Sequence, residues 1–237
     1  MNIYVTSDWH LLQCEYGRKP MISPHYEEIL AELDKLEEDD TLIHLGDVMD
    51  DTVGYVYGNR EIITNIAKKI RPIRNTILLR GNNDVMSAEQ FRLMFGFKEV
   101  AFAASINNVI LSHTSIDLID PCDRGVPNYF NLHGHIHRKN CDPDTIGYYH
   151  QCDLNINLCT KDGRQYRMTK LTDIDFVAES IRNNFWAEGH EKPGMSCLCQ
   201  NEALSYYQKL RSKHRHEESI NEKKEIITSN GNTYPIL

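Results

Sequence analysis

The central feature of the sequence is the stretch Thr41-Leu42-Ile43-His44-Leu45-Gly46-Asp47-Val48-Met49-Asp50. Its short apolar run over 41–45 predicts a buried strand. Gly46 then allows a sharp turn that aims the next side chain, Asp47, inward. Ligands bind beyond the carboxyl ends of strands in open α/β sheets, so this stretch predicts one edge of a binding site.

Four further predicted strands end in similar polar clusters. In chain order, the strands at 3–6, 76–79, 109–111 and 129–132 lead to Asp8-Trp9-His10, Gly81-Asn82-Asn83-Asp84, Ser112-His113 and His133-Gly134-His135-Ile136-His137. Each cluster contains Asp, Asn or His, and each follows a strand end. Together with residues 46–50 they describe one site that is assembled from five loops.

Helical periodicity separates the first strands. Apolar residues recur at helical spacing over 26–36, 61–70 and 88–95. Asn107-Asn108 predicts a hairpin turn between strands at 100–104 and 109–111, and two late strands, 154–158 and 166–171, lie around Asp162-Gly163. Alternating strands and helices, followed by hairpins, predict an α/β fold with mixed strand pairing.

The pattern changes after residue 173. Helical stretches at 174–185 and 201–225 are separated by a segment with Gly and Pro, and a terminal hairpin is predicted around Asn230-Gly231. We therefore expect a first domain over 1–173 and a mostly helical extension over 174–237. The extension would pack on the core or on a neighbouring chain, and a homo-oligomer could form through it.

Composition narrows the classes of partner. The 237 residues include 26 Lys+Arg and 34 Asp+Glu, a net charge of −8, which disfavours an extended nucleic-acid surface and binding to an anionic membrane. No apolar run approaches the roughly 18 residues of a membrane span. Seven cysteines without a disulfide-framework spacing fit a reducing compartment, and the first residues lack a signal-peptide pattern. We expect a soluble, cytoplasmic protein.

The polar clusters together supply a set of metal ligands. Two carboxylates, one amide and four imidazoles are the candidates: Asp8, His10, Asp47, Asn82, His113, His135 and His137. A set of borderline-to-hard ligands without thiolate selects Mn, Fe or Zn. Seven ligands exceed the needs of one ion with an open position. They suit two ions about 3.5–4 Å apart that share a bridging carboxylate.

In order along residues 3–171, the five clusters contain Asp-x-His, Gly-Asp-x-x-Asp, Gly-Asn-Asn-Asp, Ser-His and Gly-His-x-His. This ordered set resembles the calcineurin-like metallophosphoesterase superfamily, and 132–137 with the late strands is similar to a small bacterial and phage branch. The fold that we expect is therefore an α/β metallophosphoesterase sandwich, with two sheets flanked by helices and a mostly helical C-terminal extension.

The resemblance also implies roles for the candidate ligands. Asp8, His10 and His137 would hold the first divalent ion, Asn82, His113 and His135 the second, and Asp47 would bridge them. The implied reaction is hydrolysis of phosphate mono- or diesters by a metal-bridging hydroxide. Manganese is the first expectation for both ions, with iron or zinc as alternatives. The substrate would be a small phosphate ester, and Tyr, Arg and Lys in the predicted loops would tolerate a nucleotide.

One position departs from the family pattern. The third block usually reads Gly-Asn-His-Asp/Glu, with a histidine that assists the phosphoryl oxygens or the leaving group, whereas this chain has Asn83. We expect Asn83 to contact the substrate and, with Asp47, to take part in catalysis; its amide donates hydrogen bonds but cannot supply a proton. Our hypothesis is that the enzyme prefers monoesters, activated diesters or cyclic phosphates, or recruits another acid such as His25 or His44.

Other interpretations remain open at this point. Arg80, just before the third block, would contact a phosphate or form an ordinary surface salt bridge. Asp50 and Asp84 are expected to support ligands or cap loops, and His44 to be a core histidine. A second function, from a different class, is a non-catalytic metal-binding scaffold of the same fold in a protein assembly. The complete set of seven ligand positions favours the enzyme.

Overall fold

The computed structural model describes residues 1–13, 21–50, 59–114, 116, 130–135, 155–158, 165–175 and 225–235. In chain order its elements are β1 (Ile3–Ser7), β2 (Leu12–Gln13), β3 (Met21–Ile22), α1 (Tyr26–Leu33), β4 (Thr41–His44), α2 (Arg60–Ile70), β5 (Asn75–Leu79), α3 (Ala88–Phe95), β6 (Glu99–Ala101), β7 (Ala103–Ile106), β8 (Val109–Ser112), β9 (Phe130–His133), β10 (Asn155–Asn157), β11 (Gln165–Lys170), a 3-10 turn (Leu171–Asp173), β12 (Glu225–Thr228) and β13 (Thr233–Pro235). The predicted α/β class is confirmed.

The first large sheet has the strand order β11-β1-β4-β5-β6. Strands β1, β4, β5 and β6 run parallel, and β11 is antiparallel to β1. Thr6 pairs with His44, which in turn pairs with Leu78. The carboxyl ends of β1, β4 and β5 therefore lie side by side, and the loops that follow them start from one edge of the sheet.

The second large sheet has the order β10-β9-β8-β7-β12-β13. Its strands β8, β9 and β10 are parallel, while β7 pairs antiparallel with β8 and β12. The hairpin predicted at Asn107-Asn108 is confirmed. The single strand predicted over 100–104 is wrong, because the chain leaves the first sheet after Ala101 and enters the second at Ala103. The two late strands also separate, since β10 joins the second sheet and β11 the first.

Alternating side chains of the first sheet face two different layers. Leu42 and Leu78 belong to a cluster with buried residues of the helices, such as Ile29. Ile43 and Ile77 belong to the cluster formed with strands of the second sheet. Because parallel strands buried on both faces are apolar at every position, the continuous apolar runs in β4 and β5 follow from this sandwich.

The predicted C-terminal hairpin is confirmed, and its place in the fold was not anticipated. Strand β12 pairs with β7, so the hairpin completes the second sheet. Ile226 is 1% exposed within the layer between the sheets. The buried carboxylate of Glu99 accepts hydrogen bonds from Asn232 Nδ2 and Tyr234 Oη, both at 2.9 Å. Residues 176–224 lie outside the described residues, so the helical extension and the boundary at 173 stay predictions.

Replacing Ile226 with Ala tests whether this hairpin belongs to the core. The change should lower the free energy of unfolding by about 2–5 kcal/mol, because it leaves a cavity between the sheets. Urea unfolding followed by circular dichroism measures the effect. Thr233→Ala, at an exposed position of the same hairpin, is the control and should leave stability nearly unchanged. Equal stability of the two variants would contradict the assignment.

Candidate metal centre

Six of the seven predicted ligands lie in the described residues, and the structure brings all six together. His137 lies outside the described residues. Two groups of ligand atoms can each hold a metal ion, one from Asp8, His10 and Asp47 and the other from Asp47, His113 and His135. Within each group, the atoms lie within 4.8 Å of one another. Asp47 is common to both groups.

The distances place one oxygen of Asp47 between the two groups. Asp47 Oδ2 lies 3.7 Å from His10 Nε2 and 3.4 Å from His113 Nε2. His10 Nε2 also lies 3.8 Å from Asp8 Oδ1. On the other side, His113 Nε2 is 3.0 Å from Asn82 Oδ1 and 3.1 Å from His135 Nδ1. Asn82 therefore belongs with the second group.

Several residues at the site have a positive φ, a backbone conformation that non-glycine residues rarely adopt. Four of the five described non-glycine residues with positive φ are predicted ligands: Asp8 (55°), His10 (41°), Asp47 (58°) and His135 (68°). Such backbone strain persists only where the surroundings impose it. Here the loop after β1 donates to the loop after β4, from Asp8 N to Gly46 O at 2.9 Å and from His10 N to Asp47 O at 3.1 Å.

Close approach of the backbone explains why glycine precedes several ligands. A Cβ built on Gly81 would lie 2.1 Å from Asp47 Oδ1, and one on Gly134 would lie 2.5 Å from Asp8 Oδ2. Among Gly46, Gly81 and Gly134, Gly46 alone has a positive φ (+100°) and so needs the backbone freedom of glycine that the sequence pattern indicated. Any side chain at Gly81 or Gly134 would push a ligand carboxylate out of place.

Asp84 connects two of the ligand loops. Its buried carboxylate accepts hydrogen bonds from the backbone N–H groups of Asp47 (2.8 Å), Val48 (3.0 Å) and Gly81 (2.8 Å). Burial and the nearby charge of Asp47 raise the pKa of Asp84 to about 6, although the Gly81 and Asp47 N–H groups oppose this rise. The expectation that Asp84 supports the loops is confirmed.

Two of the ligand imidazoles are oriented by groups behind them. Asp50 Oδ1 lies 2.5 Å from His10 Nδ1, and the backbone carbonyl of Leu45 lies 2.8 Å from His113 Nδ1. In both rings this leaves Nε2 directed at the cluster. Partners of this kind fix the ring orientation of metal-binding histidines. Asp50 thus has the supporting role that we expected.

The donor set fits divalent cations. Burial opposes charge on His10, yet the carboxylates of Asp50 and Asp8 outweigh it and raise its pKa to about 10. Burial likewise opposes charge on His113, and Asp47 outweighs it and raises the pKa of that ring to about 9. The pocket therefore favours positive charge. Its oxygen and imidazole ligands are of the kinds that bind divalent metal ions in proteins.

Two further histidines at the site remain neutral. His44 and His133 are buried, and burial lowers the pKa of His44 to about 3 and that of His133 to about 4. The hypothesis that His44 serves as an acid is therefore wrong, because the ring carries no second proton near neutral pH. His25 belongs to neither metal group, and its Nδ1 lies 4.0 Å from Glu28 Oε1.

Asn83 and Arg80 were the predicted substrate-binding residues. Asn83 donates from its backbone N to Asp47 Oδ1 at 2.9 Å and from Nδ2 to Asp47 Oδ2 at 2.7 Å. Arg80 donates from Nη2 to the carbonyl of Asp84 at 2.7 Å, and its guanidinium lies 5.5 Å from the centre of the Phe102 ring. The described contacts of Arg80 thus brace the Asp84 loop.

Sequence reasoning missed one contributor, Ser7. Its hydroxyl donates to Asp8 Oδ2 at 2.5 Å. Neighbouring side chains of a strand normally point to opposite faces. The positive φ of Asp8 turns its carboxylate back towards Ser7. The only signal in the sequence was a hydroxyl residue directly before the Asp-x-His block.

The sequence model of the calcineurin-like phosphoesterase family matches residues 1–215, and the chain belongs to this family. A crystal structure of a protein of unknown function from Aquifex aeolicus is 20% identical, with 73% of this chain and 97% of that chain covered at a TM-score of 0.45. No curated protein matches the sequence. Within the described residues, each helix is too short or too polar to cross a membrane.

Binding of Mn²⁺ should release protons. Because the pKa values of His10 and His113 are raised, both rings carry a second proton near neutral pH. A cation must displace that proton to reach the nitrogen lone pair. Affinity should therefore increase from pH 6 to pH 8, by roughly tenfold per pH unit for each proton released. Calorimetry in buffers of different ionisation enthalpy measures the released protons. His25→Gln should behave as the wild type, and a pH-independent affinity would refute the assignment.

Proposed function

We propose that this protein is a dinuclear metal-dependent phosphoesterase that hydrolyses phosphate mono- or diesters. The observation that carries the proposal is the position of Asp47, whose carboxylate belongs to both groups of potential metal ligands. Two divalent cations held by these residues would lower the pKa of water, which supplies hydroxide for attack on phosphorus, and would neutralise charge that develops on the phosphoryl oxygens.

The chain's own residues would hold and orient the reacting groups. Asp8, His10 and His137 would bind one ion, and Asn82, His113 and His135 the other. Asp47 would be shared between them. Its two oxygens are kept in place by hydrogen bonds from Asn83, as described above. The strained loops position these groups before any substrate arrives, so little reorganisation is needed during reaction.

The finer parts of the proposal follow from the chemistry of the residues. Manganese, iron and zinc all suit the donor set, and we propose manganese first. Two divalent ions against the charges of Asp8 and Asp47 would make the pocket locally cationic on a chain of net charge −8. A small phosphate ester, with nucleotides among the candidates, is the substrate that such a pocket would attract. We place the reaction in the cytoplasm, on the strength of the cysteine content.

Replacing Asp47 with Asn tests the metal-dependent reaction. With added Mn²⁺, the wild type should hydrolyse 4-nitrophenyl phosphate or its bis ester, and the variant should lose activity by on the order of 10³-fold, because the shared ligand is gone. Release of 4-nitrophenol measures the rate. Asp34→Asn, at an exposed position of the surface, is the matched control. A wild type that binds both metals but turns over no mono-, di- or cyclic ester would favour the scaffold function.

Asn83 should limit the range of leaving groups. Its amide contacts the shared carboxylate, yet it cannot transfer a proton, and the neutral ring of His44 carries no second proton to donate. Esters with good leaving groups do not need general acid assistance, whereas alkyl esters do. We therefore propose that monoesters, activated diesters and cyclic phosphates are preferred to unactivated alkyl diesters.

Replacing Asn83 with His should accelerate hydrolysis of an alkyl diester, within the 10²–10⁴-fold that general acid catalysis typically contributes. Hydrolysis of the bis(4-nitrophenyl) ester should change much less, since its leaving group needs no proton. The ratio of kcat/KM for the two substrates, measured on metal-loaded protein, gives the result. Asn83→Gln retains an amide and should show no gain. Unchanged turnover of the alkyl diester by the His variant would disprove this role.

A further inference from the structure

His44 has a hydrogen-bonding pattern that a simple core residue would not need. The side chain is 0% exposed at the end of β4. Its Nδ1 accepts a hydrogen bond from the backbone N–H of Gly46 at 3.1 Å. The ring proton is therefore on Nε2, and this nitrogen has no hydrogen-bond partner in the described residues.

An unpaired buried N–H group is unfavourable and calls for an explanation. An apolar residue at position 44 would fill the same space without it. His44 lies in an otherwise apolar strand segment between Ile43 and Leu45. The benefit of the imidazole must therefore come from its other contacts, which are the acceptor at Nδ1 and the ring itself.

The Nδ1 acceptor holds Gly46, which connects the two acidic loops. Gly46 has φ +100°, and its carbonyl accepts a hydrogen bond from the backbone N–H of Asp8 at 2.9 Å. Gly46 is thus held through its N–H by His44 and through its C=O by Asp8. The next residue along the chain is Asp47, the carboxylate shared by both metal groups.

The ring of His44 also packs against the other acidic loop. It contacts the indole of Trp9 in a perpendicular arrangement, with ring centroids 4.4 Å apart. Trp9 stands between the ligands Asp8 and His10, and its indole N–H donates to Thr6 Oγ1 at 2.8 Å. One buried imidazole therefore contacts the backbone that precedes Asp47 and the side chain between Asp8 and His10.

We propose that His44, as the neutral Nε2–H tautomer, is a positioning residue that sets the affinity of the site for divalent cations through Gly46. This proposal rests on the metal centre of the proposed function, but it does not require that the protein hydrolyse a substrate. Within the described residues, His44 belongs to neither group of metal ligands, and it acts through its hydrogen bond with Gly46. Groups that orient metal ligands in this way typically contribute 10–100-fold to metal affinity.

Two variants separate positioning from simple packing. His44→Phe keeps an aromatic ring against Trp9 and loses the acceptor for Gly46. His44→Asn loses the ring. Its Oδ1 is two bonds from Cβ, as Nδ1 is in histidine, and can accept the Gly46 hydrogen bond. Calorimetric titration with Mn²⁺ gives the affinity, and urea unfolding of the metal-free protein gives the stability.

If His44 is a positioning residue, the two variants should rank in opposite order in stability and in Mn²⁺ affinity. The Phe variant should be at least as stable as the Asn variant, yet its Mn²⁺ dissociation constant should increase 10–100-fold. The Asn variant should be less stable than the wild type and should bind Mn²⁺ with nearly wild-type affinity. If affinity instead follows stability, so that Phe binds normally and Asn binds poorly, His44 is only a packing residue and the proposal fails.

Two further measurements use metal-free protein and need no Mn²⁺ binding, and the first of them uses the wild type alone. Long-range ¹H–¹⁵N spectra of the wild type should show the Nε2–H tautomer of His44, and the Nδ1–H tautomer would overturn the proposal. Exchange of the Gly46 amide hydrogen should be slow in the wild type and faster in the Phe variant. Equal exchange rates would also overturn it. A wild type that binds Mn²⁺ without hydrolysing any ester would contradict only the proposed function.

Discussion

The hydrogen bonds of the Asp84 carboxylate are the interaction on which the site depends most. This one buried side chain accepts hydrogen bonds from backbone N–H groups of the loop after β4 and of its own loop after β5. Its backbone carbonyl is in turn held by Arg80. Asp47 has a positive φ, a conformation that persists only where neighbouring groups enforce it. Asp84 supplies that enforcement without using either oxygen of Asp47.

The same residue type has opposite electrostatic behaviour at two depths of the site. His10 and His113 face carboxylates, and their raised pKa values show a pocket that favours positive charge. His44 and His133 lie behind the loops, where burial keeps them neutral. The buried layer therefore adds no cation that would repel metal ions. Environment, and not residue identity, divides these histidines into candidate ligands and supports.

Elements with a local signal were predictable and those defined by distant pairing were not. The helix over 88–95 follows the prediction because Ser87 and Gln90 form a capping box at its start. The strand predicted over 100–104 is divided between two sheets, since periodicity carries no information about which sheet a residue joins. The terminal hairpin was visible at Asn230-Gly231, yet its pairing with β7 depends on contacts across more than a hundred residues.

The sequence by itself determined the chemistry of the candidate centre. Strand ends followed by Asp, Asn and His specify the ligand types, because residue identity and strand periodicity are local properties. Only the tertiary structure decided that Asp47 is common to both ligand groups, that Asn83 contacts it, and that Arg80 and His44 brace loops. These roles depend on distances of a few ångströms between loops far apart in the chain, and the packing of two sheets sets those distances.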